Sequence, residues 1–175
     1  DIVSEAFRIL RTNMTFMGKK GQAPQVVTFT SFNVGAGKTF ISRNLAMSFA
    51  YVKKRVLLID MDIRKGTLSR NFAKHELGLT HYLSDSSIAL DDVIYPSGDH
   101  ENLDILPAGP VAPNPAELLM DERLDEMIKV LRDRYDYIVI DNVPVGIIAD
   151  AAIVNRIADL TIFVARAGKL DRRQL

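Results

Sequence analysis

The most constraining feature of the sequence is a glycine-rich turn, Gly-Ala-Gly-Lys-Thr at residues 35–39, between an apolar run at 25–30 and a helical pattern at 41–49. A strand, a glycine turn and a helix that opens with lysine and threonine are the context of a phosphate-binding loop. The glycines let successive backbone N–H groups point into one concavity, to which the helix N-terminus adds its positive end. Lys38 can then reach the β- and γ-phosphates, and the Thr39 hydroxyl can ligate Mg²⁺. The motif predicts binding of a nucleoside triphosphate.

The turn departs from the strict pattern G-x-x-x-x-G-K-[ST], whose first glycine would fall at Phe32. Taken alone, it leaves open a chance glycine-rich turn before a lysine. Two acidic motifs further along the chain argue against that alternative.

Composition excludes several classes of protein. The chain has no cysteine, which excludes disulfides, thiolate metal sites and iron–sulfur clusters. Its formal net charge is zero and no basic stripe emerges, so we expect no nucleic-acid partner. No run approaches the roughly 20 apolar residues of a membrane span, and no signal peptide is visible. With 47% hydrophobic and 25% charged residues, we expect one domain over residues 1–175, taken from a longer protein.

Apolar runs alternate with helical patterns along the chain. This alternation predicts an α/β fold with a mostly parallel sheet flanked by helices on both faces. Ligands of such sheets bind at the carboxyl ends of the strands, where the loop and both acidic motifs fall. We expect strands at 25–30, 55–60, 103–106, 137–141 and 160–165, and helices at 2–17, 38–51, 68–72, 80–83, 114–119, 121–134 and 150–156.

The acidic motifs lie at the ends of two apolar runs. Asp141 follows one run and has the position that holds Mg²⁺ in phosphate-loop enzymes, with a turn or helix cap as the alternative. Asp60 and Asp62 end another run, where two carboxylates would repel each other without a cation. A shared Mg²⁺ and the neighbouring Arg64 resolve that repulsion, whereas solvent-facing loop carboxylates are the alternative. One of the two could accept a proton, and Asp60 is the better candidate for that base.

Together these segments resemble the bacterial protein-tyrosine kinases (BY-kinases). LLIDMDIR at 57–64 is similar to the second nucleotide motif of that family, and YIVID at 137–141 to its Walker B motif. LPAGP at 106–110, NPAELL at 114–119 and GLTHYL at 78–83 occur in the family's order. The resemblance implies a P-loop NTPase fold with a deviant Walker A motif. It also implies catalytic Lys38, Asp60 and Asp62, metal ligands Thr39, Asp60, Asp62 and Asp141, and nucleotide contacts from Asn33, Val34, Gly35, Ala36, Gly37, Lys38, Thr39, Phe40 and Arg64.

The first helix carries Glu5, Arg8 and Arg11 in an E-x-x-R-x-x-R pattern. Beside it runs an apolar stripe at helical spacing: Val3, Ala6 or Phe7, Leu10, Met14 and Met17. From the residues alone, a solvated helix face is the simpler interpretation. The resemblance instead implies that residues 1–17 form an oligomerisation helix, with these three side chains at the subunit interface of a ring.

The resemblance also implies an activity and partners. The implied activity is that of an ATP- and Mg²⁺-dependent protein-tyrosine autokinase. It would regulate exopolysaccharide or capsule assembly and export at the cytoplasmic face of the bacterial inner membrane. The implied partners are a transmembrane activator or chain-length regulator segment, fused or separate, further copies of the chain, and a cognate tyrosine phosphatase. A last strand, a helix and a tyrosine-rich tail are expected beyond Leu175.

Some positions depart from the family pattern, and one alternative function stays open. Val34 and Gly66 stand where the family usually has proline, and Asp141-Asn142-Val143-Pro144 replaces its D-T-P-P. The alternative is an ATPase switch of the partitioning or septum-placing type, which lacks kinase activity. Those ATPases usually carry a second lysine early in the loop, at the position of Asn33.

Overall fold

Parallel strands and helices alternate along the chain in a computed structural model that describes residues 2–18, 21–72, 74–145 and 150–169. The helices are α1 (Ile2–Met14), α2 (Lys38–Ala50), α3 (Leu79–Ser84), α4 (Pro115–Met120), α5 (Glu122–Arg134) and α6 (Asp150–Val154). The strands are β1 (Val26–Ser31), β2 (Val56–Asp60), β3 (Tyr95–Pro96), β4 (Leu103–Leu106), β5 (Tyr137–Asp141) and β6 (Leu160–Val164).

Within the described ranges the strands form one sheet in the order β3-β4-β2-β5-β1-β6. All neighbours are parallel except β3, which runs antiparallel to β4. In this register Asp60 at the end of β2 pairs directly with Asp141 at the end of β5. The predicted fold class is confirmed, and the sheet brings the two acidic motifs to adjacent positions on one edge.

The central strands read as continuous apolar runs because helices cover both faces of the sheet. Along β2, Leu57 and Ile59 point into a core layer shared with α3, α4 and α5. Val56 and Leu58 point into a second layer shared with α1 and α2. Along β2 the burial of both sets leaves Asp60, at the carboxyl edge of the sheet, as the one polar side chain of the strand.

Helix α1 packs against α2 through part of its predicted apolar stripe. Phe7 and Met14 are buried, and the Phe7 ring lies edge-on to Phe40, with the ring centroids 6.0 Å apart. The Arg11 guanidinium donates a hydrogen bond to the backbone carbonyl of Ser48 at the far end of α2. These contacts dock α1 along much of the length of α2.

The rest of α1 is open to solvent. Its exposed apolar side chains include Ile2, Val3 and Ile9, and Phe16 and Met17 follow in the turns after the helix. Val3 and Met17, which the sequence places on the apolar stripe, are 44% and 52% exposed. The stripe therefore buries its middle and leaves its two ends uncovered.

Two local features differ from the sequence-based expectations. The edge strand β3 was not expected, because two residues that include a proline carry little strand signal. The helix expected at 68–72 is a single 3₁₀ turn, Ser69–Asn71. In the described part of the chain, none of the helices is long and apolar enough to cross a bilayer.

Candidate active site

The loop between β1 and α2 depends on two glycines with positive φ. Gly35 has φ 78° and Gly37 has φ 100°, values in the left-handed region that other residues rarely adopt. Gly37 is the N-cap of α2 and offers no side chain to the helix. The first N–H groups of α2 therefore keep their capacity to bind an anion.

Three segments line a cavity of about 430 Å³ at the carboxyl edge of the sheet. The lining residues are Val34, Gly35, Gly37, Lys38, Thr39, Phe40, Asp62, Arg64, Lys65, Thr67, Asp141, Asn142, Val143 and Pro144.

Three residues expected at the site lie outside this lining set. Asn33 and Ala36 line a smaller neighbouring cavity of about 220 Å³, together with Arg166. Asp60 is fully buried, and its carboxylate accepts a hydrogen bond from Ser69 instead of lining the cavity. Arg64, Lys38 and the other expected nucleotide contacts do come together around the larger cavity.

Thr39 and Asp141 meet inside the cavity. The Thr39 hydroxyl donates to Oδ2 of Asp141 at 2.6 Å. Oδ1 of Asp141 is buried and has no hydrogen-bond partner among the described residues. Burial raises the pKa of Asp141 to about 7, although the Thr39 bond and the charge of Lys38 oppose the shift. An orphaned carboxylate oxygen beside a hydroxyl fits a hard cation such as Mg²⁺, which takes oxygen ligands.

Lys38 lies half-buried in the same cavity. Burial lowers its pKa, while the charges of Asp141 and Asp62 act in the opposite direction. All three side chains line the same cavity. A phosphate at this place would meet a cation held between acidic neighbours.

Asp60 holds a loop together by hydrogen bonds. Its Oδ1 accepts the backbone N–H of Asp62 at 3.1 Å. Its Oδ2 accepts both the backbone N–H and the hydroxyl of Ser69, at 2.8 and 2.6 Å. Burial raises the pKa of Asp60 to about 6, against the lowering effect of the Ser69 bonds.

Asp62, by contrast, faces the cavity. Its Oδ1 accepts the backbone N–H groups of Arg64, at 3.3 Å, and Lys65, at 3.0 Å, which fixes the turn after β2. Its carboxylate is partly exposed on the cavity wall, whereas that of Asp60 is buried beneath the loop. The two acids of one motif thus occupy different environments.

The turn after Asp62 has a backbone shape that the family pattern does not predict. Gly66, at the position of the usual proline, has φ 58°. Proline is locked near φ −65° and cannot adopt that value. At Gly66 the backbone therefore follows a path that a proline could not adopt.

Ser69 is the residue that sequence reasoning missed. Besides donating to Asp60, its hydroxyl accepts the backbone N–H of Ala108 at 2.9 Å. Ala108 belongs to the LPAGP segment, so Ser69 ties that segment to the end of β2. A lone serine in an irregular stretch gives no sequence signal for this role.

Comparison with known proteins places the chain in a family. Residues 24–169 match the AAA domain family. Over 176 residues the chain is 39% identical to the tyrosine-protein kinase CpsD of Streptococcus pneumoniae, covering 98% of this chain and 74% of that protein. This chain belongs to the bacterial tyrosine-protein kinases. The resemblance inferred from the motifs is confirmed.

Similarity to solved structures supports membership of this family. The kinase domain of the Escherichia coli tyrosine kinase ETK has a TM-score of 0.89 and 34% identity, covering 98% of this chain and 66% of that chain. The septum site-determining protein MinD from Pyrococcus horikoshii, complexed with Mg-ADP, has a TM-score of 0.68 and 28% identity, covering 81% of this chain and 57% of that chain. The fold is shared with such ATPases, and the similarity to the kinase is the greater of the two.

Replacing Ser69 with alanine should destabilise the protein. The change leaves the buried Asp60 carboxylate short of a donor and the Ala108 N–H without its acceptor, at a cost of about 1–3 kcal/mol for each buried group left unpaired. Urea denaturation of Ser69→Ala measures the loss, and Ser86→Ala on the surface is the control, with a change near zero. Equal stability of the two variants would contradict the role of Ser69.

Proposed function

We propose that this chain is an ATP-dependent protein-tyrosine autokinase that regulates exopolysaccharide or capsule assembly and export. The observation that carries the proposal is the convergence of Lys38, Thr39, Asp62 and Asp141 on one cavity at the carboxyl edge of the sheet. Membership of the tyrosine-protein kinase family supports tyrosine as the side chain that accepts the phosphoryl group.

In this proposal the loop binds the phosphates of ATP. The backbone N–H groups at the start of α2 and the Lys38 ammonium face the β- and γ-phosphate oxygens. Thr39 and Asp141 would hold Mg²⁺, which neutralises charge on the phosphates when it is bound. No group of three or more acidic or histidine side chains is placed to hold a metal within the described ranges. Phosphate oxygens and water would therefore complete its coordination, as is usual for Mg²⁺.

Asp62 is our candidate for the base that accepts the tyrosine proton. The new bond joins the tyrosine oxygen to the γ-phosphorus, the bond to the β,γ-bridging oxygen breaks, and ADP leaves. Asp62 lines the cavity, whereas both oxygens of Asp60 already accept hydrogen bonds within the loop. Asp60, the expected base, then acts as a positioning residue that fixes the segment carrying Asp62.

The environments of the tyrosines favour an acceptor outside residues 1–175. The Tyr135 hydroxyl donates to Asp104 at 2.7 Å, the Tyr95 hydroxyl bonds two backbone carbonyls, Tyr137 stacks on Phe49, and Tyr82 is buried beneath a guanidinium. Tyr51 is exposed, but it follows α2 and so lies roughly 20 Å from Lys38 at 1.5 Å per residue. We propose that the acceptor tyrosines belong to a C-terminal tail, presented by a neighbouring copy.

The neighbouring copy is proposed to belong to a ring. Arg8 pairs with Glu5 on the same helix at 2.7 Å, and both side chains are more than half exposed, so either can exchange its partner. Arg11 already contacts α2. Arg–carboxylate pairs across a head-to-tail interface would close the ring.

The proposed setting is the cytoplasmic face of the bacterial inner membrane. There a transmembrane activator, fused or separate, would control the kinase, and a cognate tyrosine phosphatase would reverse its product. Membership of the bacterial tyrosine-protein kinases supports this setting, which is the one that the resemblance of the motifs implies.

Replacing Lys38 with alanine should weaken ATP binding about tenfold to a hundredfold, as expected for the loss of a charge-assisted hydrogen bond, and abolish transfer. Calorimetry measures binding and phosphotyrosine mass spectrometry measures transfer, with Lys129→Ala as a surface control. Unchanged affinity together with unchanged transfer would rule out the assigned loop. ATP hydrolysis without any phosphotyrosine in the full-length protein would instead favour the ATPase-switch alternative.

The two acids of the LLIDMDIR motif can be separated by amide substitutions. We expect Asp62→Asn to lower the rate of phosphoryl transfer roughly 10²- to 10⁴-fold, as is typical of the loss of a general base, with a milder effect on ATP affinity. Asp60→Asn should chiefly lower the urea midpoint of unfolding. Full transfer by Asp62→Asn, with transfer lost in folded Asp60→Asn, would return the role of base to Asp60.

The ring is tested by light scattering on the full-length protein with ADP and Mg²⁺. We expect the wild type to assemble and Arg8→Ala to give smaller species, because the change removes an interface cation. Among the described residues the Arg8 guanidinium bonds only Glu5 of the same helix, so the fold of the chain should be little disturbed. Arg11→Ala is the less clean variant, since it also removes the bond to Ser48. A wild-type monomer at high concentration would contradict the ring.

A further inference from the structure

A second cavity, of about 650 Å³, opens beside the candidate active site. Lys65 lines both cavities, so the two spaces adjoin at this residue. The walls of the second cavity, here called the basic groove, carry Lys65, Arg70 and Lys74, and its one acidic side chain in the described residues is Glu76. Its lining also includes the polar side chains of Ser69, His75 and His81.

Arg70 of the basic groove differs from most other arginines in the described part of the chain. Elsewhere arginines are held in ion pairs, as in Arg43 with Asp99 and Arg132 with Asp159. Arg70 and Lys74 are exposed, and neither forms an ion pair or a side-chain hydrogen bond with any described residue. Their charges remain available to an anionic ligand.

The floor of the groove is held rigidly to the active site. Pro107 and Gly109 line the groove, and between them the Ala108 N–H bonds the Ser69 hydroxyl, which in turn bonds Asp60. The Pro107 carbonyl also accepts the backbone N–H of Leu79 at 2.8 Å. A groove held in this way loses little entropy when a ligand binds.

We propose that the basic groove binds the acidic residues that flank an acceptor tyrosine, so that the kinase selects peptides with aspartate or glutamate near the tyrosine. This proposal rests on the proposed function. An extended peptide advances about 3.3–3.6 Å per residue, so residues a few positions from a tyrosine in the first cavity fall in the adjoining groove. The Arg70 guanidinium can bind a carboxylate with two parallel hydrogen bonds, and Lys74 adds a point charge.

The test is peptide binding, measured by fluorescence anisotropy without ATP. Two labelled peptides of equal length carry one central tyrosine, flanked by glutamates in one and by glutamines in the other. We expect the wild type to bind the glutamate peptide about three- to tenfold more tightly, with a preference that falls as salt rises. Equal affinity for the two peptides overturns the proposal.

Two variants locate the preference. Arg70→Glu and Lys74→Glu should each remove most of it, and both side chains are exposed, with no hydrogen bond or ion pair to the described residues. Lys129→Glu, an exposed position on α5, changes the net charge by the same amount and should keep the preference. An equal loss in Lys129→Glu would mean a general charge effect, which also overturns the proposal.

Kinetics separates this proposal from the function on which it rests. With ATP and Mg²⁺, Arg70→Glu should raise KM for the glutamate peptide and leave kcat unchanged, as expected when binding alone is weakened. Selective peptide binding without any phosphate transfer would support the groove and contradict the proposed function. Loss of binding to phosphatidylglycerol vesicles in Arg70→Glu, with no peptide preference in the wild type, would assign the groove to a membrane and overturn the proposal.

Discussion

The structure depends on how two buried carboxylates are tolerated side by side. Asp60 and Asp141 end adjacent strands in direct register, and burial raises the pKa of both. Like charges so placed repel each other, and desolvation increases the cost. The two carboxylates are stabilised differently. Asp60 accepts backbone and serine donors, whereas Asp141 accepts one hydroxyl and keeps an oxygen that has no hydrogen-bond partner among the described residues. The first arrangement shapes a loop, and the second leaves a place for a cation.

Much of the fold and of the site could be predicted because parallel strands collect their carboxyl ends on one edge. The apolar runs located β2 and β5 closely, and with them Asp60 and Asp141. The sequence analysis favoured Asp60 as the base, because nothing in the motif shows that Asp60 is buried beneath a loop while Asp62 faces the cavity. Their difference comes from Ser69, nine positions after Asp60, and from the Ala108 N–H, which lies far along the chain.

Other features escaped the sequence for local reasons. The two residues of β3 hold their place through pairing with β4, and no periodic pattern can mark so short a segment. The apolar stripe of α1 predicted burial along the helix, yet α2 covers only its middle. The ends of the stripe stay uncovered because α1 extends beyond its contact with α2. The periodicity of the sequence does not predict how far two helices overlap.

The Phe7 ring against Phe40 puts the packing of α1 next to the first residues of α2, which also form the phosphate-binding loop. Contacts made by α1 and ligands bound by the loop therefore act on neighbouring atoms of one helix. If displacement of α1 changes nucleotide affinity by some factor, nucleotide must change the equilibrium of that displacement by the same factor, because linked equilibria are reciprocal. A coupling of this kind through the aromatic pair would make nucleotide affinity depend on the position of α1, and the position of α1 depend equally on bound nucleotide.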